Sequence, residues 1–380
     1  MRFAAPVLVA GLVGVGAAVP ALASGGRPRL PAESAAQIVA GVLGSRVAAV
    51  SGSVEWRPDL GIPSLAGPGS AGQGVPTAGG LDPTGLLSGA QSFRLWVDGS
   101  EERLATDGSL AETDIVRRGD EVWVWDSADQ HVGRYLLPSA PGGTRPSPSG
   151  LDPASVASQL VAGLGSAGTA VGVGTPVYVA GVPCRVLRLE PTDTSTSTVS
   201  SVDIAVDAAN SVPLRVTVRA AGQRTPALEL GFTSVSFAPP AASVFDPPRG
   251  ESTSTRVVVR RPGGGLASLR YGLESPPGGA GGWFAYAPVT EAAAPPAAPA
   301  SSSPRVIGHG WSAVADLAVA SSNPTVGALE AAATPVSGSW GSGRLLRSSL
   351  LDVLVLPDGH LLVGFVPPAV LEADAGALAG

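Results

Sequence analysis

Lysine is absent from this 380-residue chain; all 24 of its basic residues are arginine, which reads as GC-rich coding rather than selection for guanidinium chemistry. Charged residues make up only 14% and the formal net charge is -6, with no basic face visible, which argues against a nucleic-acid partner. A single cysteine, Cys184, excludes an internal disulfide and any thiolate metal cluster, and its expected role is core filling. Histidine is scarce too. His131, His309 and His360 lie in a turn, between glycines and in the final hairpin, with no paired spacing that builds a metal face. There is no Gly-x-Ser-x-Gly elbow. Gly-x-Gly-x-x-Gly occurs twice, at residues 67–72 and 163–168, but the first lies in an aperiodic stretch and the second follows a helix. A dinucleotide site needs strand, turn and helix in that order. No catalytic constellation can be assembled, and neither a cofactor nor a metal is expected.

What is present is apolar and rich in loops. Hydrophobic residues form 44% of the chain, enough for one large domain and a smaller one, while 51 glycines and 36 prolines assign a good part of it to loop or linker. At the amino terminus, Arg2 precedes an apolar run from Phe3 to Val19, then Pro20 and Ala21-Leu22-Ala23, a small-x-small pattern before Ser24. Residues 1–23 therefore read as a secretory signal peptide. The rival reading is an uncleaved anchor, since the run approaches the ~20 residues of a membrane span. The small residues Gly11, Gly14, Gly16, Ala17 and Ala18 and the break at Pro20 favour cleavage.

Pro31-Ala32-Glu33-Ser34 opens a helical pattern with Ile38, Val39, Val42 and Leu43 as its apolar stripe. A strand follows over Ala48 to Trp56, and then a Gly/Pro/Ser-rich hairpin insertion from Gly61 to Gly80. From Ser92 the segments SFRLWVDG, EERLATDG, LAETDIVRRG, DEVWVWDS and HVGRYLLP make an antiparallel meander. Within RRGDEVWVW, residues 117–125, Gly119 tolerates positive φ and Asp120 can bond its own backbone, so the Arg-Gly-Asp triplet is read as a hairpin turn. Val122, Trp123, Val124 and Trp125 are apolar on both alternating sets, which requires cover on each face of that strand. Phe93, Trp96, Trp123 and Trp125 read first as core. Asp152-Pro153 starts a second helix through Val156, Leu160, Val161 and Leu164. Strands resume at residues 181–191, 201–208, 212–220 and 227–237, with Ile204, Val206, Leu214, Val216 and Val218 on one face. Helix, strands, helix, strands is an α+β order, with helices gathered on one side of an antiparallel sheet.

Composition changes at Pro262. Residues 262–304 are rich in Gly, Pro, Ala and Ser and read as a linker, leaving residues 24–261 as the main domain and 305–380 as a small C-terminal α+β segment. That tail has a helix near Val326 to Ala332 and a hairpin in which Leu350–Leu356 and Leu361–Phe365 flank Pro357-Asp358-Gly359. It is short for an independent domain and is expected to dock on the main sheet.

Together the signal, the helix beginning Pro-Ala-Glu-Ser, the strands AAVSGSVEW and SFRLWVDG, and the hairpin DIVRRGDEVWVWDSADQHVGRYLLP resemble the LolA-like group of exported proteins. The resemblance is to its actinobacterial branch, labelled outer-membrane lipoprotein carrier, with RseB and LppX as related folds. A turn glycine, a Trp-x-aromatic-Asp strand and a nearby Gln and Val recur in that group; here they are Gly119, Trp123, Trp125, Asp126, Gln130 and Val132. GVPCRVLRLEP and IAVDAANSVPLRVTVRA resemble its second half, and GSWGSGRL in the tail is similar to the same branch. The insertion from Gly61 to Gly80 departs from the pattern. The resemblance implies a curved antiparallel sheet forming an incomplete barrel, helices covering its concave face, and an apolar cavity for acyl chains. Phe93, Leu95, Val97, Trp123, Trp125, Leu214, Val216 and Val218 are then the candidate lipid-binding residues. The implied partner is a lipid or acylated lipoprotein, bound without catalysis. The alternative is an RseB-like envelope-stress regulator acting on an anti-sigma factor or other membrane-protein partner. An enzyme and a structural envelope protein stand behind both.

The signal reading has a direct consequence: the mature chain begins at or near Ser24. Amino-terminal sequencing of wall or supernatant fractions checks it, and an intact Met1 in the membrane pellet contradicts it.

Overall fold

Local side-chain chemistry starts the two helices of the main sheet. The Gln37 N–H donates to Ser34 Oγ at 3.3 Å and the Ser34 N–H donates to Gln37 Oε1 at 2.8 Å, a reciprocal capping box. From it α1 (Ala35–Gly44) buries Ile38 and Val42 and half-buries Val39, but Leu43, assigned above to the same stripe, is exposed. Asp152 caps α2 (Pro153–Ala162), accepting from the N–H groups of Ala154 at 3.1 Å and Ser155 at 2.9 Å. Pro153 at the first helical position gives up no hydrogen bond there. The computed structural model describes residues 26–45, 47–61, 89–107, 112–127, 130–136, 152–162, 168–250, 252–257, 305–318 and 324–379. The signal segment, the Gly61–Gly80 insertion beyond Gly61, Leu164 and the 262–304 linker lie outside these. Among the described residues no helix is long and apolar enough to cross a membrane.

The fold is α+β, built on a large antiparallel sheet that does not close into a barrel. Its first half is β1 (Ala49–Pro58), β2 (Gln91–Asp98), β3 (Glu101–Asp107), β4 (Glu112–Arg118), β5 (Glu121–Asp126) and β6 (His131–Leu136). The second half is β7 (Thr169–Val179), β8 (Val182–Pro191), β9 (Val199–Asp207), β10 (Pro213–Ala220) and β11 (Leu228–Ser236). With β12 (Ser252–Val257) the order is β12-β6-β5-β4-β3-β2-β1-β11-β10-β9-β8-β7, a twelve-stranded sheet. Only β12 runs parallel to its neighbour, β6. The halves join where β1 pairs with β11, Val54 opposite Phe232. A bulge at Ser53/Val54 brings the backbones so close that a Cβ on Gly52 would stand 1.9 Å from the Ser234 carbonyl oxygen. Only glycine fits there. The second half is strongly curved: β7 comes into contact with β11 across three intervening strands, and Arg215 on β10 donates to the Tyr178 carbonyl at 3.0 Å.

Two strands of the main sheet were not anticipated. In β7 Gly172, Gly174 and Pro176 interrupt the side-chain pattern, and Val171 and Val173 are 39% and 49% exposed, so the strand carries no buried period. The polar β12 is likewise an edge. The turn at the Arg-Gly-Asp triplet is as expected, with Gly119 at φ 60° between β4 and β5. The chain just after β11 crosses one face of the first half: a 3-10 turn, Ala242–Phe245, lies on β3 and β4, buries Phe245 completely, and accepts at the Val244 carbonyl from Arg103 at 3.2 Å.

Residues 305–379 form a second sheet of six strands, β13 (Arg305–Ile307), β14 (Val314–Ala318), β15 (Thr334–Gly338), β16 (Gly341–Leu346), β17 (Asp352–Val355) and β18 (His360–Gly364), ordered β13-β14-β18-β17-β16-β15. Helix α3 (Pro324–Ala332) packs Val326 with Leu346, Val353, Val355 and Leu361; α4 (Pro368–Ala379) packs Leu371 and Ala375 with Leu345, Leu354 and Leu362 on the other face. This sheet docks on the main one. The Ser349 N–H donates to the Leu60 carbonyl at 2.9 Å, the Thr198 N–H to the Phe365 carbonyl at 3.0 Å, and Trp311 Nε1–H to Thr169 Oγ1 at 2.8 Å. Leu350 is buried in one core with Ile38, Val161 and Val216.

The turn at Gly119 separates geometry from chemistry. Gly119→Val forces a branched residue into positive φ and is expected to cost on the order of 1 kcal/mol or more, while Asp120→Glu leaves stability unchanged. Urea denaturation of both variants checks this; equal midpoints contradict it.

Candidate functional site

The register turns the sequence into a map of one sheet face. Across the first half an aliphatic row runs through Leu95, Leu104, Ile115 and Val124, one residue per strand from β2 to β5. On one side of it lies Val54, Phe93, Thr106 and Thr113; on the other, Val97, Glu102, Arg117, Val122 and Tyr135. Across the β1–β11 junction the same face continues as Trp56, Leu230, Val216, Ile204 and Leu187, with Leu228, Val218, Val202 and Leu189 beside it. The alternation of each strand has put its apolar set on one side over ten strands' width.

Both helices of the main sheet lie on this face. Helix α1 places Ile38 and Val42, and α2 places Ala157 and Val161, in the core that holds Leu187, Ile204 and Val216. The first turn of α2 reaches further: Ala154 and Val156 pack against the neighbouring core of Phe93, Leu95, Leu104 and Leu214. Helix α2 thus straddles the two halves. Its cap is unusual in being buried. Burial pushes the Asp152 carboxyl above its ordinary pKa, against the hydrogen bonds from the Ser155 side chain and the Ala154 and Ser155 backbone, which hold it down.

Of the eight candidate residues, the register sets Phe93, Leu95, Val97, Val216 and Val218 on the helix-bearing face, and Leu214 sits at the β10 bulge in the same core as Phe93 and Leu95. Phe93, Leu95, Leu214 and Val216 are closed over, Leu95 and Leu214 fully buried and Val216 3% exposed, while Val97 and Val218 are half-buried. Trp123 and Trp125 are on the opposite face, in register with Val116 and Asp114. Sequence spacing could not show what surrounds them there. The Arg134 guanidinium lies 6.0 Å from the Trp123 ring, and on the same face Arg94 and Arg103 lie 5.7 and 5.8 Å from Trp96. Arg103 also grips Asp114 with two hydrogen bonds, at 3.1 and 2.6 Å. This outer face is a stacked arginine–tryptophan layer, which no periodicity in the sequence signals.

Two open recesses lie elsewhere. A cleft of about 310 Å³ on the outer face of β7–β11 is lined by Val177, Val186, Arg188, Asp203, Arg215 and Glu229, and a groove of about 520 Å³ lies against β15–β17 near Val336, Arg344 and Leu356. Cys184 is fully buried, and burial, with the Asp207 charge, pushes its thiol up to about 12, so it is a packed, unreactive group. Among the described residues no three histidine, cysteine or carboxylate side chains cluster in a way that holds a metal ion.

No protein-family model matches this chain, and a search of curated proteins finds no match. Among solved structures, MucB is similar at 14% identity with a TM-score of 0.40, over 91% of this chain and 96% of MucB. A putative outer membrane lipoprotein-sorting protein domain from Vibrio parahaemolyticus matches at 12% identity and TM-score 0.22, over 56% of this chain and 94% of that one. A LolA superfamily protein from Nitrosomonas europaea matches at 12% and 0.22, over 56% and 98%. At such scores no site residue is transferred from them.

The cap on α2 yields a pH-dependent prediction. Asp152→Ala removes the acceptor for two N–H groups and is expected to cost about 1 kcal/mol. Asp152→Asn keeps an acceptor and removes the charge. Because the folded carboxyl titrates above its unfolded value of 3.8, the wild type loses stability as pH rises from below 3.8 through the folded pKa. The asparagine variant therefore gains on the wild type between pH 3 and 7 in denaturation experiments. A gap that stays flat with pH contradicts the buried cap.

Proposed function

We propose that this is an exported cell-envelope protein that holds the acyl chains of a lipid or lipoprotein against the helix-bearing sheet face, without covalent chemistry. The observation that carries the reading is the continuous apolar face from β2 to β10, roofed along its second half by two helices of only ten residues each. Helices that short are marginal alone and depend on docking, so they can leave at modest cost. Helix α2, which touches both halves, is the cover that moves. Phe93, Leu95, Val97, Leu214, Val216 and Val218 receive the chain; Trp123 and Trp125 belong to the outer layer and act through the sheet.

The alternative is a regulator in which the same face senses acyl ligands and a membrane-protein partner reads the result. It is favoured by Leu350, which carries the second sheet into the core beneath α1 and α2, so that a chain bound there meets the second sheet directly. MucB has been crystallised in complex with MucA(peri).

Native mass spectrometry of the purified protein is expected to show acyl-chain adducts, and delipidated protein to take up a fluorescent fatty acid. Val216→Trp is expected to reduce that uptake by filling the space beneath α2. Protein that carries no lipid, takes up none after delipidation, and is strongly destabilised by Val216→Trp has a dry core and not a binding face.

A further inference from the structure

On the outer face of the second half the register sets Arg188, Asp203, Thr217 and Glu229 in one row across β8 to β11, and Val186, Ala205, Arg215 and Gly231 in the next. The sheet curves toward this side, where Arg215 reaches from β10 to the Tyr178 carbonyl on β7, so the two rows form the floor of the cleft of about 310 Å³. Gly231 is needed for this, because a Cβ there would stand 2.8 Å from Arg215 Cγ. Asp203 is fully engaged: it accepts from Arg188 Nε at 2.7 Å and Nη2 at 2.9 Å, and from Arg219 Nη1 at 3.0 Å. It thereby fixes two guanidinium groups side by side, and Arg188 Nη1 and Arg219 Nε and Nη2 have no acceptor among the described residues. Arg94, Arg103 and Arg134 on the first half lie against tryptophan rings, whereas among the described residues no ring covers Arg188, Arg215 or Arg219.

Charge and acceptors add the second half of the case. Three guanidinium groups (Arg188, Arg215, Arg219) face two carboxylates (Asp203, Glu229), so the cleft carries one net positive charge in a chain of net charge -6. Glu55 and Arg57 on the neighbouring β1 pair with each other at 2.6 Å, and Glu190, further along β8, is exposed outside the wall. Glu229 is only loosely held: its Oε2 accepts from the Thr217 hydroxyl at 3.4 Å and stands 3.6 Å from Arg215 Nη1. Planar guanidinium forks suit an oxyanion, while a carboxylate with open lone pairs accepts from hydroxyl groups. A site for a bare anion gains nothing from Glu229, whose charge repels it. We propose that this cleft binds a small polyhydroxylated anion, a sugar phosphate or a sugar acid, with Arg188 and Arg219 on its acidic group and Glu229 on its hydroxyls. The volume is at the low end for ligand pockets and suits a single small solute. The site is on the other side of the sheet from the acyl-binding face and is independent of that reading.

The test is isothermal titration calorimetry of the full-length protein at about 0.15 M salt, with glucose 6-phosphate, glucuronate, inorganic phosphate and glucose as probes. Expected is binding of a sugar anion about tenfold or more tighter than either inorganic phosphate or glucose, and the tighter of the two sugar anions names the acidic group. Arg219→Met leaves Asp203 both of its bonds from Arg188, so the variant keeps the fold, and it lowers that affinity about tenfold. Arg57→Met removes an exposed cation of the same face outside the cleft and stays within about twofold of wild type. Glu229→Met supplies the sign: it weakens binding of the sugar anion here, whereas at a site for bare anions the loss of a negative charge strengthens binding. The proposal is overturned by no binding of either sugar anion, by equal affinity for inorganic phosphate and glucose 6-phosphate, by equal losses in Arg219→Met and Arg57→Met, or by a gain in Glu229→Met. None of these outcomes bears on the acyl-binding measurements above.

Discussion

The pairing of β1 with β11 is the constraint on which the rest of the molecule depends. These strands are about 180 residues apart in sequence, as at Ser53 and Ser234, and their ladder is what makes one sheet of two meanders. Closing so long a loop costs entropy that only a well-formed ladder offsets. The bulge at Ser53/Val54 adjusts the twist at the junction, and Gly52 makes it feasible, since any side chain there would run into the Ser234 backbone. Register then follows. With Val54 opposite both Phe93 and Phe232, the aliphatic sets of β2 and of β10 must fall on the same face; a slip by one residue would turn Phe93, Leu95 and Val97 to the arginine–tryptophan side.

Much of this was legible in the residues because local chemistry and hydrophobic period agree. Ser34 with Gln37, Asp152 with Pro153, and Gly119 between two strands announce the element boundaries that the structure has, and the strands from Ser92 to Leu136 are where alternation places them. The failures have physical causes. Edge strand β7 buries little and β12 is a run of small polar residues in sequence, so neither leaves a period to read, and α4 escaped notice because its buried positions, Leu371 and Ala375, are a bare i, i+4 pair among alanines and acids. The candidate site was half visible. Period 2 identifies Phe93, Leu95 and Val216 as facing inward but cannot say which apolar set of β5 joins them, since Val122 and Trp123 both qualify. The structure decides for valine, because the face opposite the helices offers the indole rings a separate place, with a guanidinium stacked on Trp123. No spacing rule foresees a cover supplied by residues 237–250.

The two faces of the sheet have opposite energetic characters. Outside, guanidinium groups lie on indole rings and pair with carboxylates, and the segment ending in Phe245 lies over β3 and β4, so that side is held by directional contacts. Inside, the roof consists of short helices resting on aliphatic side chains, a contact without directional bonds that one hydrocarbon can exchange for another at little net cost. The second sheet reaches into that same layer through Leu350, which makes it the natural recipient of any movement there.

The proposed movement of α2 is therefore the point to measure. Hydrogen–deuterium exchange, followed residue by residue in delipidated protein and after loading with cis-parinaric acid, compares the amides of residues 153–162 with those of β9 and β10. If α2 is a cover, its amides exchange well ahead of the strands beneath it in delipidated protein, and loading changes their protection while the strands stay at the global limit. Amides of α2 as slow as those of β10, and unaltered by the fatty acid, would show a fixed core helix and contradict the binding face.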